Sequence, residues 1–208
     1  MDNLILFDND AWRRPGGGSL EASYDYFNGQ IAKRIGLLMT AGMGQKATPE
    51  MVVDASEIIN TLSTGGVSTI GYATSDLARA RRGLLSQLSG PGEFEASDVI
   101  SQIVSTVRLA ALGRLTLPCE IDSAQRALVI TAGPPEHLSR QGVERALSWL
   151  EDATGTREVR GGDYPIPGED KIGALVLLSG VTDVPRLDEL QRIAIETQQT
   201  VADIEAAS

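Results

Sequence analysis

Residues 127–131 (ALVIT) and 172–179 (IGALVLLS) decide the fold of this chain. Short uninterrupted runs rich in Val, Ile and Leu predict strands that are buried on both faces. Between these two runs, a helix is predicted for residues 140–150 and a further strand for residues 157–165. Strands that alternate with a helix in this way indicate a sheet covered by helices.

The same alternation continues towards both ends of the chain. Amphipathic helices are predicted at residues 20–39, 97–112 and 185–206, and a shorter helix at residues 53–62. Strands are predicted at residues 4–7 and 67–72. Because the connections have both hairpin and crossover lengths, the expected class is α/β (α+β), with a mixed sheet packed by helices.

The first 42 residues are interpreted as an arm. They contain one strand followed by the long helix, and one strand cannot form a sheet, so they are expected to belong to a sheet that precedes them. The expected organisation is therefore residues 1–42 as the last strand and core helix of one domain, and residues 43–208 as a second domain.

Composition and charge narrow the possible partners and location. The chain has 208 residues, with 18 Lys and Arg against 28 Asp and Glu, and a formal net charge of −10. This charge argues against nucleic acid and anionic membranes as main partners, and the presence of only three lysines indicates a salt-adapted surface. No apolar run approaches the roughly 18–20 residues of a membrane helix, and no basic residue precedes the first apolar run. We therefore expect no direct membrane insertion and a cytoplasmic location.

Few side chains offer covalent or metal chemistry. Cys119 is the single cysteine and His137 the single histidine, which excludes an internal disulfide, a Cys/His zinc site and a Cys–His pair. Cys119 is interpreted as a small hydrophobic residue, and no metal ligand is predicted. Gly16–Gly18 are interpreted as a flexible connector, because no Gly-Lys-Ser/Thr follows them. The arginines within residues 79–82 are interpreted as solvated surface or as a contact with a partner subunit.

Asn9, Tyr24 and Asn28 form a first candidate site. Tyr24 and Asn28 are four residues apart, so they share a helix face and offer a ring beside an amide that can donate and accept hydrogen bonds. A purine base needs both groups. By spacing alone, the simpler interpretation is a tyrosine of the core beside a locally bonded asparagine.

Asp54 and Glu57 form a second candidate site. Two carboxylates three residues apart at a helix start share a face, where they can orient and polarise a water molecule. The segment 54–57 also fits a capping box, in which the first side chain bonds the N3 amide. Spacing alone favours the cap, and the two roles are compatible.

Five segments in order along the chain carry a family resemblance. They are residues 7–12 (FDNDAW), 52–62 (VVDASEIINTL), 65–73 (GGVSTIGYA), 130–135 (ITAGPP) and 173–180 (GALVLLSG). Together they resemble the C-terminal half of the tubulin/FtsZ superfamily, and most of all its archaeal CetZ branch.

The resemblance implies a cytoskeletal GTPase that binds GTP or GDP with Mg²⁺ in an N-terminal domain and polymerises head to tail. By this resemblance Asn9 and Asn28 contact guanine and Tyr24 lies beside it. Asp54 and Glu57 are the catalytic acids of a loop that activates hydrolysis in trans, in the pocket of the neighbouring subunit. Residues 1–42 become the last strand and core helix of the GTPase domain, and residues 43–208 the C-terminal activation domain. The expected partners are further copies or full-length subunits in a filament.

Two departures from the family pattern affect these expectations. The glycine-rich phosphate signature is absent, so the chain alone is not expected to bind GTP or to be active as an enzyme, and Val52 stands where tubulin and FtsZ usually carry Asn. An alternative is therefore a polymer-capping or interaction module without GTPase activity. An unrelated small-molecule enzyme is disfavoured, because no nucleophile–base pair is visible.

Overall fold

The computed structural model describes residues 2–9, 20–43, 49–77 and 93–206. Gly16–Gly18 and the arginine-rich segment 79–82 lie outside the described residues. The strands are β1 (Asn3–Ile5), β2 (Gly66–Asp76), β3 (Arg126–Gly133), β4 (Val159–Pro165) and β5 (Lys171–Val181). The helices are α1 (Leu20–Gly42), α2 (Ala55–Leu62), α3 (Glu93–Gly113), α4 (Arg140–Thr154) and α5 (Pro185–Ala206).

The strands form one mixed sheet in the order β1-β2-β5-β3-β4. β2 and β3 both pair antiparallel with β5, whereas β1 pairs parallel with β2 and β4 pairs parallel with β3. β5 lies in the centre, and every residue of β5 after Lys171 is buried. The expected mixed sheet is confirmed. The residues of β5 form an apolar run because a central strand is covered by a helical layer on each face.

The two faces of the sheet are covered by different helices. Leu175 and Leu177 of β5 belong to a core cluster that α1 and α2 complete. Val176 and Leu178 belong to the opposite cluster, which α3 and α4 complete. Successive strand side chains alternate between faces, so one continuous apolar strand supplies both cores.

Helix α3 crosses β2 at very short range at Gly71. A Cβ added to this glycine would lie 2.1 Å from the carbonyl oxygen of Ala110. The close approach brings the end of α3 and the segment after it beside α1, and Thr116 there donates its backbone N–H to Ile70 at 3.0 Å.

Some predicted boundaries differ from the structure. β2 extends to Asp76 because its ladder with β5 continues to Lys171, and α2 begins at Ala55 because Asp54 is its N-cap. β1 and α1 pack on the same sheet as the other elements. The assignment of residues 1–42 to a preceding domain stays a prediction.

Candidate functional site

The acidic turn, residues 54–57, forms the start of α2. Asp54 is the N-cap in an extended conformation, and its Oδ1 accepts the backbone N–H of Glu57 at 3.0 Å. This bond satisfies one of the free amides at the helix start. The predicted cap is confirmed, and the Asp54 side chain remains exposed at the surface.

Glu57 has an unusual electrostatic environment. Burial raises the pKa of its carboxyl group and the neighbouring Asp54 raises it further, whereas Arg160 and the backbone of Asp54 act in the opposite direction. Its Oε2 is buried and accepts no hydrogen bond from the described residues. A carboxylate with a raised pKa is a better proton acceptor than an ordinary glutamate, so Glu57 fits the role of a base.

Strand β4 holds the loop that leads into the acidic turn. The buried carboxylate of Asp163 accepts the backbone N–H of Met51 at 2.6 Å and that of Glu50 at 3.2 Å. The N–H of Asp163 in turn donates to the carbonyl of Met51 at 2.9 Å. A Cβ on Gly162 would lie 2.1 Å from that same carbonyl oxygen, so only glycine lets the loop come this close.

The other end of α2 is tied to β3 by Arg126. Its Nη1 donates to the backbone oxygen of Asn60 at 2.6 Å and to the hydroxyl of Ser63 at 2.7 Å, and its Nε pairs with Glu158. The helix that carries Asp54 and Glu57 is therefore fixed at both ends by groups from the sheet.

Sequence reasoning missed Asp163 and Arg126. The one available signal for Asp163 was an acidic residue inside a predicted strand directly after Gly161 and Gly162, where a charge requires partners. The local sequence of Arg126 gives no such signal.

Asn9, Tyr24 and Asn28 all lie at the surface around the N-terminal half of α1. Tyr24 is 56% exposed, so it is not a core residue, and Asn28 is exposed one turn further along the helix. Asn9 lines a narrow cleft together with Phe27 and Ile31 of α1. The structure therefore places Asn9 beside the helix that carries the other two residues.

These three side chains carry the chemical groups that recognition of a planar base requires. Two amides can donate to and accept from the edge of a base, and an exposed ring can stack on its face. None of the three carries the positive charge that phosphates require. No group of three or more His, Cys, Asp and Glu side chains that could hold a metal ion exists in residues 2–9, 20–43, 49–77 and 93–206. Across the same ranges, no helix has both the length and the apolar character needed to cross a membrane.

Comparisons with known proteins agree on one family. The family model described as "Tubulin-like CetZ, C-terminal domain" matches residues 17–196. The chain is 61% identical to tubulin-like protein CetZ3 of Haloferax volcanii over 204 residues, which are 96% of this chain and 52% of that protein. It is 53% identical to CetZ1 of the same organism, covering 98% of this chain and 54% of the relative.

Solved structures show the same fold. A GDP-bound monomer of CetZ1 from Haloferax volcanii superposes with a TM-score of 0.76 at 51% identity, over 95% of this chain and 51% of that one. A GTPγS-bound protofilament of CetZ2 superposes with a TM-score of 0.77 at 39% identity, over 95% and 52%. An FtsZ dimer of M. jannaschii, at 16% identity and a TM-score of 0.57, supports the fold alone. The chain spans about half the length of the curated relatives it matches.

The tubulin/FtsZ-like fold is thus confirmed, and the CetZ2 protofilament is among the solved structures that share it. Because the family model covers residues 17–196, well over half of the chain, this protein belongs to the tubulin-like CetZ family and carries its C-terminal domain.

Proposed function

We propose that this chain acts within a CetZ-type filament by presenting Asp54 and Glu57 to a nucleotide held by the neighbouring subunit, where they activate GTP hydrolysis in trans. The observation that carries the proposal is the acidic turn itself, with an exposed Asp54 beside a Glu57 of raised pKa. The GTPγS-bound protofilament of CetZ2 supports both the filament and the nucleotide.

The two carboxylates have different tasks. Glu57 accepts a proton from water as it attacks the terminal phosphate, because its raised pKa makes it the stronger base. Asp54 holds the helix start through its bond to the N–H of Glu57 and contributes negative charge that keeps the pKa of Glu57 high. Asp163 acts as a positioning residue, because its two backbone contacts fix the loop before the turn.

The proposal assigns the guanine base to Asn9, Tyr24 and Asn28. Their amides and ring recognise the base of the nucleotide that this subunit holds in the full-length protein. The phosphate on which Asp54 and Glu57 act belongs to the separate nucleotide held by the neighbouring subunit. Mg²⁺ is assigned to the neighbouring subunit, together with the phosphates whose charge it neutralises. In this proposal the chain works in the cytoplasm on copies of itself or on full-length relatives.

Phosphate release in a mixture tests the proposal. Full-length CetZ3 of Haloferax volcanii is kept with GTP and Mg²⁺ below the concentration at which it assembles, and the purified chain is added in increasing amounts. The chain should raise phosphate release to saturation, and the variant Asp54→Asn with Glu57→Gln should lower this stimulation by about 100-fold or more, the usual range for losing a general base. Glu196→Gln, which removes an exposed carboxylate from α5, should have no effect.

A different pattern would refute the catalytic role. If the wild-type chain shortens filaments of the relative at substoichiometric ratios without raising phosphate release, the chain is a capping module. If the variant stimulates as well as wild type, the acidic turn is not the activating group.

A further inference from the structure

Arg160 of β4 lies on the same face of the sheet as the acidic turn. It pairs in register with Leu128 of β3, and Gly162 of β4 pairs with Ile130. Leu128 and Ile130 belong to the core cluster that α1 and α2 complete. Residues paired across neighbouring strands point to the same face, so the Arg160 side chain lies on the side of the sheet that α2 covers.

Strand β4 fixes the position of Arg160 relative to the turn. It is the outermost strand at its end of the described order β1-β2-β5-β3-β4. Two and three residues after Arg160, the same strand contacts the loop before α2. The Cβ of a residue replacing Gly162 would lie 2.1 Å from the carbonyl oxygen of Met51, and the N–H of Asp163 donates to that oxygen at 2.9 Å. Arg160 therefore lies at the sheet edge, beside the acidic turn.

The charge of Arg160 has no partner in the described part of the chain. Its side chain is exposed, and no described residue forms a hydrogen bond or an ion pair with its guanidinium. Arg126, at the other end of α2, is by contrast occupied by the backbone oxygen of Asn60, the hydroxyl of Ser63 and the carboxylate of Glu158. Arg160 is therefore available to a group from outside the chain.

Arg160 is close enough to Glu57 to act on it. Its positive charge lowers the pKa of that carboxyl group, against the raising effects of burial and of Asp54. The two groups nevertheless form no ion pair, and the buried Oε2 of Glu57 accepts no hydrogen bond from the described residues. A guanidinium and two carboxylates therefore lie side by side at this surface.

Two carboxylates that face a nucleotide create an electrostatic problem. Asp54, Glu57 and the phosphates are all negative, and bringing like charges together costs most where water is excluded. A guanidinium relieves this repulsion, because it stays protonated and its planar fork of N–H donors matches the oxygens of a phosphate. Arg160 is the cation that acts on Glu57 from the neighbouring strand.

We infer that Arg160 binds the third phosphate of the nucleoside triphosphate held by the neighbouring subunit and offsets the repulsion between this phosphate and the acidic turn. The inference rests on the proposed function for the presence of that nucleotide and adds a contact that distinguishes a triphosphate from a diphosphate. A diphosphate lacks the third phosphate, so the surface around Arg160 favours a neighbour whose nucleotide has not been hydrolysed.

Binding of the purified chain to full-length CetZ3 of Haloferax volcanii tests the inference. CetZ3 is kept below the concentration at which it assembles and is loaded with either GTPγS or GDP. Wild type should bind the GTPγS-loaded form more tightly than the GDP-loaded form. Arg160→Gln should bind the GTPγS-loaded form about tenfold more weakly, as expected for a lost charge-assisted hydrogen bond, and the GDP-loaded form within about twofold of wild type.

Two further variants define what the charge and its shape contribute. Arg160→Lys keeps the charge without the planar fork, so its affinity for the GTPγS-loaded form should lie between those of wild type and Arg160→Gln. Arg145→Gln removes the same charge from an exposed position on α4, which covers the opposite face of the sheet, and should leave both affinities within about twofold. The side chain of Arg160 is exposed and β4 pairs through its backbone, so the Arg160 variants should keep the fold.

The inference is overturned if Arg160→Gln binds the GTPγS-loaded form as tightly as wild type does, or if it weakens binding of both loaded forms equally. It is also overturned if wild type does not prefer the GTPγS-loaded form. Phosphate release with the variant Asp54→Asn and Glu57→Gln tests the proposed function in a separate assay, so a failure of the acidic turn is distinguished from a failure of Arg160.

Discussion

Replacing Asp163 by alanine tests how the acidic turn is held in place. The buried carboxylate accepts two backbone N–H groups, from Met51 at 2.6 Å and from Glu50 at 3.2 Å. A hydrogen bond to a charged group contributes about 1.5–3 kcal/mol. Glu50 is exposed, so its freed N–H is satisfied by water, whereas that of the half-buried Met51 is satisfied only in part. We expect Asp163→Ala to lower the free energy of unfolding by about 2–4 kcal/mol.

Urea unfolding followed by circular dichroism measures this loss, and hydrogen exchange at the amides of Met51 and Glu50 measures the local release. Asp163→Asn keeps one oxygen acceptor and should cost less than the alanine variant. Asp152→Ala removes an exposed carboxylate from α4 and should change stability by no more than about 0.5 kcal/mol. If Asp163→Ala lowers the free energy of unfolding by less than about 1 kcal/mol and leaves hydrogen exchange at Met51 unchanged, Asp163 does not hold the loop before α2.

Three other predictions concern packing, pH and thiol reactivity. Gly71→Ala should lower the free energy of unfolding by about 3 kcal/mol or more, because the new Cβ would lie 2.1 Å from the backbone oxygen of Ala110. Gly36→Ala, in open space on α1, should instead raise it by up to about 1 kcal/mol. Equal effects of the two variants in urea unfolding would contradict this prediction. The folded-state pKa of Glu57 is raised, so ionisation of this residue destabilises the wild-type chain as the pH rises from about 4 through that pKa. The variant Glu57→Gln lacks this ionisation, so its Tm relative to that of wild type should increase between about pH 4 and pH 7. A difference in Tm that stays constant over this range would count against the raised pKa. Burial raises the pKa of Cys119 to about 11. A thiol reagent at pH 8 should therefore react at least about tenfold more slowly with the folded chain than with the unfolded chain. Equal rates would disprove the interpretation of Cys119 as a small hydrophobic residue.

The elements of the fold were predictable because their signals are local. The helix predicted at 185–206 is observed over Pro185–Ala206, and the apolar run at 172–179 lies within β5. Helical periodicity and an unbroken apolar run both depend on residues a few positions apart. Asp54 as a cap was predictable for the same reason, since the bond to Glu57 spans three residues.

The candidate site was predictable only in part. The positions of Asp54 and Glu57 on one helix start followed from their spacing, but the raised pKa of Glu57 depends on burial, and Arg160 of β4 opposes it from over a hundred residues away. The contacts of Arg126 with Asn60 and Ser63 could not be predicted, because more than 60 positions separate these residues in the sequence.

The sequence by itself determined the helices, the strands, the mixed class of the sheet and the acidic turn. The tertiary structure alone decided the strand order β1-β2-β5-β3-β4, the hydrogen bonds of Asp163 to the loop before α2, and the burial of Arg34. The physical reason is that a buried charge is tolerated only where hydrogen-bonding groups converge on it, and some of these groups come from distant parts of the chain. Arg34 reaches the carbonyl of Ile70, 36 positions away, and that of Arg114, 80 positions away, and no local pattern encodes such a meeting.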